Sequence, residues 1–291
     1  MTWLITGGSG QLGIAISQEL GERGILFTSW GSRDLDITQG PIVRDFISQL
    51  SPNVIINCAA WTDVDGAETN KSQASRVNGD GAENVSIAAK KCEAKLIHIS
   101  TDYVFSGESK TPWQVDDAIN PQSTYGRTKA DGEGRVGRVY PENTSIVRTA
   151  WLYSPWGKNF AKTMTRLAIN ADVEVRVVHD QFGQPTSATD LAKQLIDLGL
   201  SSSSAGVYHG TNSGEATWFE FAQEIFKLAG ADTRRVVPVS SSEYPRIAKR
   251  PSYSVLSHDS WSKTSVHPMR DWRIAIEEAM PAIISAVKTE E

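Results

Sequence analysis

Apolar positions in the first half of the chain switch between two periods. Trp3-Leu4-Ile5 is a short continuous apolar run that closes on Thr6 and a cluster of glycines. From Gln11 to Arg23, Leu12, Ile16 and Leu20 recur at helical spacing until Gly24 stops the segment. The same alternation then repeats. Ile25-Leu26-Phe27 predicts a strand, Pro41 opens a helix with Ile42, Phe46, Ile47 and Leu50 on one face, and Val54-Ile55-Ile56 predicts a buried strand. A long helical stretch through Ala74, Val77, Gly81, Val85 and Ala88 reaches Lys91. Leu96-Ile97-His98-Ile99 and Ile146-Val147 predict two further strands. Strands that are apolar throughout, separated by helices, predict an α/β, doubly wound parallel sheet covered on both faces.

The order is less regular later in the chain. Asn159–Ala171 and Ala188–Leu200 read as helices around a strand Val173–Val178, Ser201–Ser204 as a solvated turn, and Val207-Tyr208-His209 as a late strand. Thr217-Trp218-Phe219-Glu220 is a capping box that opens a helix to Ala229, because the Thr hydroxyl and Glu carboxylate satisfy free amides. A last helix from about Met269 contains Pro281, which is expected to kink or divide it. The late helix and strand read as completing the first sheet. The expected organisation is a sheet domain of residues 1–151 plus roughly 188–212, with a smaller lobe of 152–187 plus roughly 213–291.

Composition narrows the function. The chain has 291 residues, 40% hydrophobic, with a net charge of −5 and no Lys/Arg-rich run, which argues against nucleic acid or an anionic membrane as a partner. Cys58 and Cys92 stand far apart without His at ligand spacing, so neither a disulfide framework nor a metal site is expected, and a reducing, cytoplasmic setting fits. No apolar stretch approaches the roughly 20 residues of a membrane helix. Residues 1–6 read as a strand without a basic region before it, so no signal peptide is expected.

The glycines after the first strand carry chemistry. Gly8, Gly10 and Gly13 satisfy G-x-G-x-x-G, and Gly7, Gly10 and Gly13 satisfy G-x-x-G-x-x-G. Between a strand and a helix, such a loop lets the backbone approach a pyrophosphate at the positive helix N-terminus, which marks a Rossmann-type dinucleotide site. An NAD site usually offers an acid at the end of the second strand. Here Thr28-Ser29-Trp30-Gly31-Ser32-Arg33 has none, and Ser29, Ser32 and Arg33 favour the 2′-phosphate of NADPH, with NADH as the alternative and a solvated loop Arg33 as the plainer reading.

Tyr125 and Lys129 are four apart in a helical stretch after Pro121, so one turn stacks them on one face. A nearby ammonium and an oxidised nicotinamide would lower the pKa of the phenol toward a useful range. Thr101 closes the strand ending Ser100-Thr101 at its carboxyl end, where ligands bind in open α/β sheets, and its hydroxyl suits a substrate carbonyl or a strand-end cap.

These motifs resemble the extended short-chain dehydrogenase/reductases: the glycine loop, Asn57-Cys58-Ala59-Ala60, Ser100-Thr101-Asp102-Tyr103-Val104-Phe105 and Tyr125-x-x-x-Lys129. Thr62-Asp63-Val64-Asp65-Gly66-Ala67-Glu68, Arg148-Thr149-Ala150-Trp151-Leu152-Tyr153, Asn159-Phe160, Asp180-Gln181-Phe182-Gly183-Gln184-Pro185-Thr186 and Arg250-Pro251-Ser252-Tyr253-Ser254 narrow this to the dTDP-4-dehydrorhamnose reductase family, over nearly the whole chain.

The resemblance implies reduction of the 4-keto group of a dTDP-linked deoxysugar by NADPH. It places the pyrophosphate at Gly10, Gln11 and Leu12, the adenine beside Asp36 and Ile37, and the cofactor against Ala59, Ala60 and Trp61. It makes Tyr125 the proton donor and Lys129 the ribose ligand and tuner of Tyr125, with Thr101, Asp102, Tyr103, Trp151 and Asn159 toward the nucleotide sugar. A diphosphate contact is expected of Arg250. Some dimeric members carry a Glu where Ala15 stands and a second carboxylate where Thr189 stands, so a monomer or weak homodimer is expected rather than a magnesium-bridged dimer. Two rivals remain. A dehydratase of the same superfamily needs an acid after Asp102, where Tyr103 stands, and a non-catalytic NADP-binding regulatory subunit does not need Thr101, Tyr125 and Lys129 together.

Overall fold

The computed structural model describes residues 1–170, 172–203 and 205–290. Its centre is a six-stranded, wholly parallel sheet. The first five strands are β1 (Thr2–Thr6), β2 (Leu26–Trp30), β3 (Val54–Asn57), β4 (Lys95–Thr101) and β5 (Thr144–Thr149). The sixth, Gly206–His209, adds beside β5, giving the spatial order Gly206–His209, β5, β4, β3, β1, β2. Chain direction along the sheet reverses at β1, which lies between β2 and β3, so a crevice opens at the carboxyl ends of β1 and β3.

Successive side chains of a strand point to opposite faces, and both faces here are dry. Trp3 and Ile5 join Ile56, Ile97 and Val147 under α1 (Gln11–Glu22), whereas Leu4 joins Ile55 and Leu96 under α2 (Gly40–Leu50). Leu12, Ile16 and Leu20 are the buried stripe of α1, as their spacing predicts. On α2 the phase differs from expectation. Val43 and Ile47 face the sheet, while Ile42 and Phe46 turn outward and Phe46 meets Trp30 edge-on with ring centroids 5.4 Å apart.

The stretch read as one helix to Lys91 is four segments: α3 (Val64–Thr69), α4 (Lys71–Ser75), a π-helical turn Arg76–Gly81, and α5 (Ala82–Lys91). A π turn accommodates one extra residue, and here it buries Asn78. The helix α6 (Thr124–Val139) packs against it so closely that a Cβ on Gly132 would meet the Asn78 carbonyl oxygen.

A second core, built on Tyr153, Phe221, Phe226, Trp272 and Ile276, lies among α7 (Phe160–Asn170), α9 (Trp218–Leu228) and α10 (Trp272–Thr289). Short strand pairs frame it, including Val175–Val178 with Val236–Val239 and Phe182–Gly183 with Ala216–Thr217. In the first core, α8 (Ala188–Leu200) packs on α1. The capping box at Thr217 and Glu220 forms as expected.

Several details differ from the sequence reading. β2 runs on to Trp30, the strand read from Val173 begins at Val175, and Met269–Asp271 is a strand before α10. Pro281 neither ends nor divides α10: it sits on the exposed side, where water can take the carbonyl that loses its N–H partner. Ala171, the expected end of a helix, and Ser204 of the expected turn lie outside the described residues.

Candidate active site

A cavity of about 610 Å³ opens at the carboxyl ends of β1, β3 and β4. One end is the glycine loop. Gly7 adopts φ +69°, and a Cβ there would stand 2.6 Å from the Ala59 nitrogen, so only glycine lets this loop touch the turn after β3. A Cβ on Gly13 would meet the Gly7 carbonyl oxygen at 2.4 Å, which is how closely α1 rests on the loop. α1 has no side-chain N-cap and no acid in its first turn. Its first amides therefore face the cavity beside Gly10, Gln11 and Leu12 as an uncompensated anion-binding surface.

A buried chain of hydrogen bonds ties the strand ends together. The Thr6 hydroxyl donates to Asn57 Oδ1 at 2.6 Å, and Asn57 Nδ2 meets His98 Nδ1 at 3.1 Å. Asn57 is thereby fixed, and Ala59 and Ala60 enter the cavity wall with Asp36 and Ile37. Trp61 does not line the wall; Thr62 and Val64 do. The Trp61 main chain is instead gripped by Asn78, whose Oδ1 accepts its N–H at 2.8 Å and whose Nδ2 reaches Thr128 Oγ1 at 3.0 Å.

The second-strand residues separate. Ser32 reaches the cavity wall, and Arg33 is exposed just outside it. Ser29 does not face the cavity: its Oγ lies 3.0 Å from Ser17 Oγ, beneath Gly8. β2 carries Ser29 inward because the strand continues past Phe27.

Thr101, Tyr125 and Lys129 come together at the other end of the cavity. Ser123 caps α6 by accepting from the Gly126 N–H at 3.1 Å, which sets Tyr125 in the first turn and Lys129 one turn later. The Tyr125 phenol neighbours the Thr101 hydroxyl, and burial raises it above the usual phenol range; the Thr101 contact opposes this only in part. Lys129 Nζ donates to the Ile99 carbonyl at 2.6 Å, and burial pulls its pKa down to about 8 despite the buried Glu133 nearby. Thr101 also caps the 3₁₀ turn Asp102–Val104 by accepting from the Tyr103 N–H at 3.3 Å, the strand-end cap that was one reading of its hydroxyl.

The rest of the cavity has two walls. Tyr103 meets Tyr125 edge-on at 5.6 Å, and its hydroxyl lies 3.3 Å from Arg250 Nη1. Arg250 itself is paired with Asp65 at 2.7 Å and does not line the cavity. Trp151, at φ +46°, stacks on Trp218, and a Cβ on Gly183 would press into its indole. Asn159 is not in the wall either. Its Nδ2 donates to Gln11 Oε1 at 2.8 Å and its Oδ1 accepts from the Lys162 N–H at 3.0 Å, so it caps α7 and ties it to the glycine loop.

Trp218 and Lys158 are among the wall residues that escaped the sequence reading. The capping box marked Trp218 as a first-turn residue, but which helix start faces the cavity is not a local property. Lys158 makes no ion pair among the described residues, and no pattern distinguishes it from a solvated lysine. Cys58 also lines the cavity; burial pushes its thiol up to about 12, which makes it a poor nucleophile. Among the described residues no group of three or more His, Cys, Asp or Glu could hold a metal ion, and no helix is long and apolar enough to cross a membrane.

Residues 1–284 match the family model described as the RmlD substrate binding domain. The chain is 44% identical over 285 residues to a dTDP-4-dehydrorhamnose reductase of Streptomyces griseus, covering 97% of this chain and 93% of the relative. It is 42% identical over 287 residues to a probable dTDP-4,6-dihydroxy-2-methyloxan-3-one 4-ketoreductase of Streptomyces antibioticus, covering 98% and 97%. A crystal structure of dTDP-4-dehydrorhamnose reductase from Bacillus anthracis in complex with NADP superposes with a TM-score of 0.91 at 37% identity, over 96% of this chain and 98% of that one.

Proposed function

We propose, from the premise that the chain belongs to the RmlD substrate binding domain family, that it is an NADPH-dependent reductase of a dTDP-linked 4-keto-6-deoxysugar. The specific reaction we assign is dTDP-4-dehydro-L-rhamnose to dTDP-L-rhamnose. One observation carries the reading: the hydroxyls of Thr101 and Tyr125 and the ammonium of Lys129 share a cavity with the uncapped end of α1. That end suits a pyrophosphate, since the Gly7 and Gly13 cradle has no room for a Cβ and the first turn of α1 has no acid to repel an anion.

NADPH supplies the hydride when bound. In this reading Gly10, Gln11 and Leu12 hold its pyrophosphate, Ser32 and Arg33 favour the 2′-phosphate, Asp36 and Ile37 border the adenine, and Ala59 and Ala60 line the dinucleotide. Tyr125 donates its proton to the sugar keto oxygen, Thr101 hydrogen-bonds that oxygen, and Lys129 leaves the Ile99 carbonyl for the ribose. Tyr103, Trp151 and Trp218 bracket the nucleotide sugar. Arg250 acts through Tyr103, not on the diphosphate. The cofactor then rests on residues 1–151 with 188–212, and the sugar nucleotide on 152–187 with 213–291. No metal is assigned, and Ala15, only 3% exposed, has no ligand atom to offer.

Another 4-keto dTDP-sugar is the second reading, since the Streptomyces antibioticus relative is named for a different ketone. Purified protein, NADPH and a set of dTDP-4-keto sugars decide this by loss of NADPH absorbance. Consumption with dTDP-4-dehydro-L-rhamnose above the others supports the assignment, and no consumption with any of them ends the reductase reading.

A further inference from the structure

Among the described residues, the charged side chains in the cavity wall are Asp36, Asp102, Lys129 and Lys158. Both ligands of the proposed reaction carry a diphosphate, and only one of these has an evident partner in the wall, the uncapped amides of α1. The other needs a cation. Lys129 is held at the Ile99 carbonyl at 2.6 Å, beside the reacting groups. Arg250 is paired with Asp65 at 2.7 Å and lies outside the wall, as does Arg33 after β2. Lys158 remains. It is exposed in the wall, and its ammonium has no hydrogen-bond or ion-pair partner among the described residues.

The turn that carries Lys158 is braced although the ammonium is free. Gly157, at φ +66°, reverses the chain just before it, and a Cβ there would stand 3.2 Å from Gln11 Cγ. Just after it, Asn159 Nδ2 donates to Gln11 Oε1 and to the Ser154 carbonyl, both at 2.8 Å. The Ser154 hydroxyl donates to the same Gln11 oxygen at 2.9 Å. Gln11 is the first residue of α1, so these bonds fasten Lys158 to the phosphate end of the cavity. The same wall holds Trp151 and Trp218. An unpaired ammonium on a fastened turn is prepared for an anion, because little ordering remains to be done when the anion arrives.

We propose that Lys158 binds the diphosphate of the sugar-nucleotide substrate and thereby sets the sugar against the Trp151 wall. The inference rests on the reductase reading above. The ligand class is a nucleoside diphosphate. The substrate is its source and not the cofactor, since the cofactor's diphosphate is already met by the α1 amides. Lys158 takes no part in proton or hydride transfer, so its charge acts on binding alone.

The test uses K158M, which keeps the stem and removes the charge, and K158R, which restores it. With NADPH and dTDP-4-dehydro-L-rhamnose, K158M should raise KM about tenfold with kcat within about twofold, and K158R should recover most of the loss. Calorimetric titration of NADP⁺-saturated protein with dTDP, dTMP and thymidine identifies the group recognised. The K158M deficit should be largest for dTDP, smaller for dTMP and absent for thymidine, and it should shrink as salt rises from about 0.05 to 0.5 M. A deficit equal for thymidine and dTDP makes Lys158 a packing residue and overturns the proposal. So does a K158M protein that binds dTDP normally but NADPH about tenfold more weakly, which assigns the ammonium to the cofactor. Unchanged affinity for both leaves it a solvated lysine and overturns the proposal as well. Wild-type protein that consumes no NADPH fails the reductase reading, a result distinct from active enzyme with an unaffected K158M.

Discussion

The indoles of Trp151 and Trp218 lie stacked with centroids 3.5 Å apart and planes 9° apart, which joins the turn after β5 to the first turn of α9. Trp151 pays for this position with a left-handed backbone, uncommon for a bulky residue. Gly183 leaves the space its ring occupies. Removing the stack by Trp218→Ala should cost about 0.5–1.5 kcal/mol of aromatic contact and let Trp151 relax. Titration calorimetry should show the dTDP-sugar bound roughly tenfold more weakly, with NADPH affinity little changed. Gly183→Ala should act in the same direction, because its new methyl displaces the same ring. Unchanged sugar affinity in both variants would remove Trp151 from the substrate wall.

Tyr125→Phe keeps the ring and its edge-on contact with Tyr103 but deletes the donated proton. Its kcat should fall by roughly 10²–10⁴, with the NADPH dissociation constant nearly unchanged. Steady-state rates at saturating cofactor check both parts, and a near-normal kcat would place the proton donor elsewhere.

Lys129 gives a pH signature to stability. Burial pulls its pKa down to about 8 in the folded protein, against 10.5 for a solvated lysine, so between these two the unfolded chain binds more protons than the folded one. Stability contributed by this group therefore rises with pH from about 8 to 10.5, and below pH 8 the buried ammonium is a standing cost. Lys129→Met should remove that slope and leave the protein at least as stable as wild type at pH 7, though it loses the bond to the Ile99 carbonyl. Denaturant midpoints across pH 7 to 10 provide the measurement, and an unchanged slope contradicts the assignment.

Arg148 and Glu133 form a buried pair, 3% and 5% exposed, with the guanidinium forked across the carboxylate at 2.8 and 3.0 Å. Arg148→Met strands Glu133 without its partner and should destabilise by roughly 3–5 kcal/mol, read as a lower urea midpoint. A loss below 1 kcal/mol would mean that water or Lys129 compensates the carboxylate.

The adenosine side tests cofactor choice. Arg33→Ala should narrow the preference for NADPH over NADH by about 1–3 kcal/mol, whereas Ser29→Ala should leave it alone because that hydroxyl is engaged with Ser17. Equal dissociation constants for the two cofactors in the unaltered protein would refute the role of Arg33.

What was legible in the sequence was local. The glycine loop, the one-turn stacking of Tyr125 and Lys129, and Thr101 at a strand end are fixed by spacings of a few residues, and each sits where its spacing implies. The end of β2 was misread because β2 is the sheet edge: with one strand neighbour it tolerates Thr28 and Ser29, so apolarity stops before the strand does. On α2 the period was right and the phase was not, since Ile42 and Val43 are equally apolar and only packing selects Val43. Arg250 and Asn159 were expected at the substrate from the family resemblance, and neither lines the cavity. Their partners, Asp65 and Gln11, lie far away in sequence, and no local pattern announces such pairings.

The π turn at Arg76–Gly81 has a mechanical consequence. Asn78 grips the Trp61 main chain on one side and Thr128 on the other, while its own carbonyl bears on Gly132. The loop after β3 and the helix carrying Tyr125 and Lys129 are therefore clamped into a single rigid jaw, held at three points by one residue.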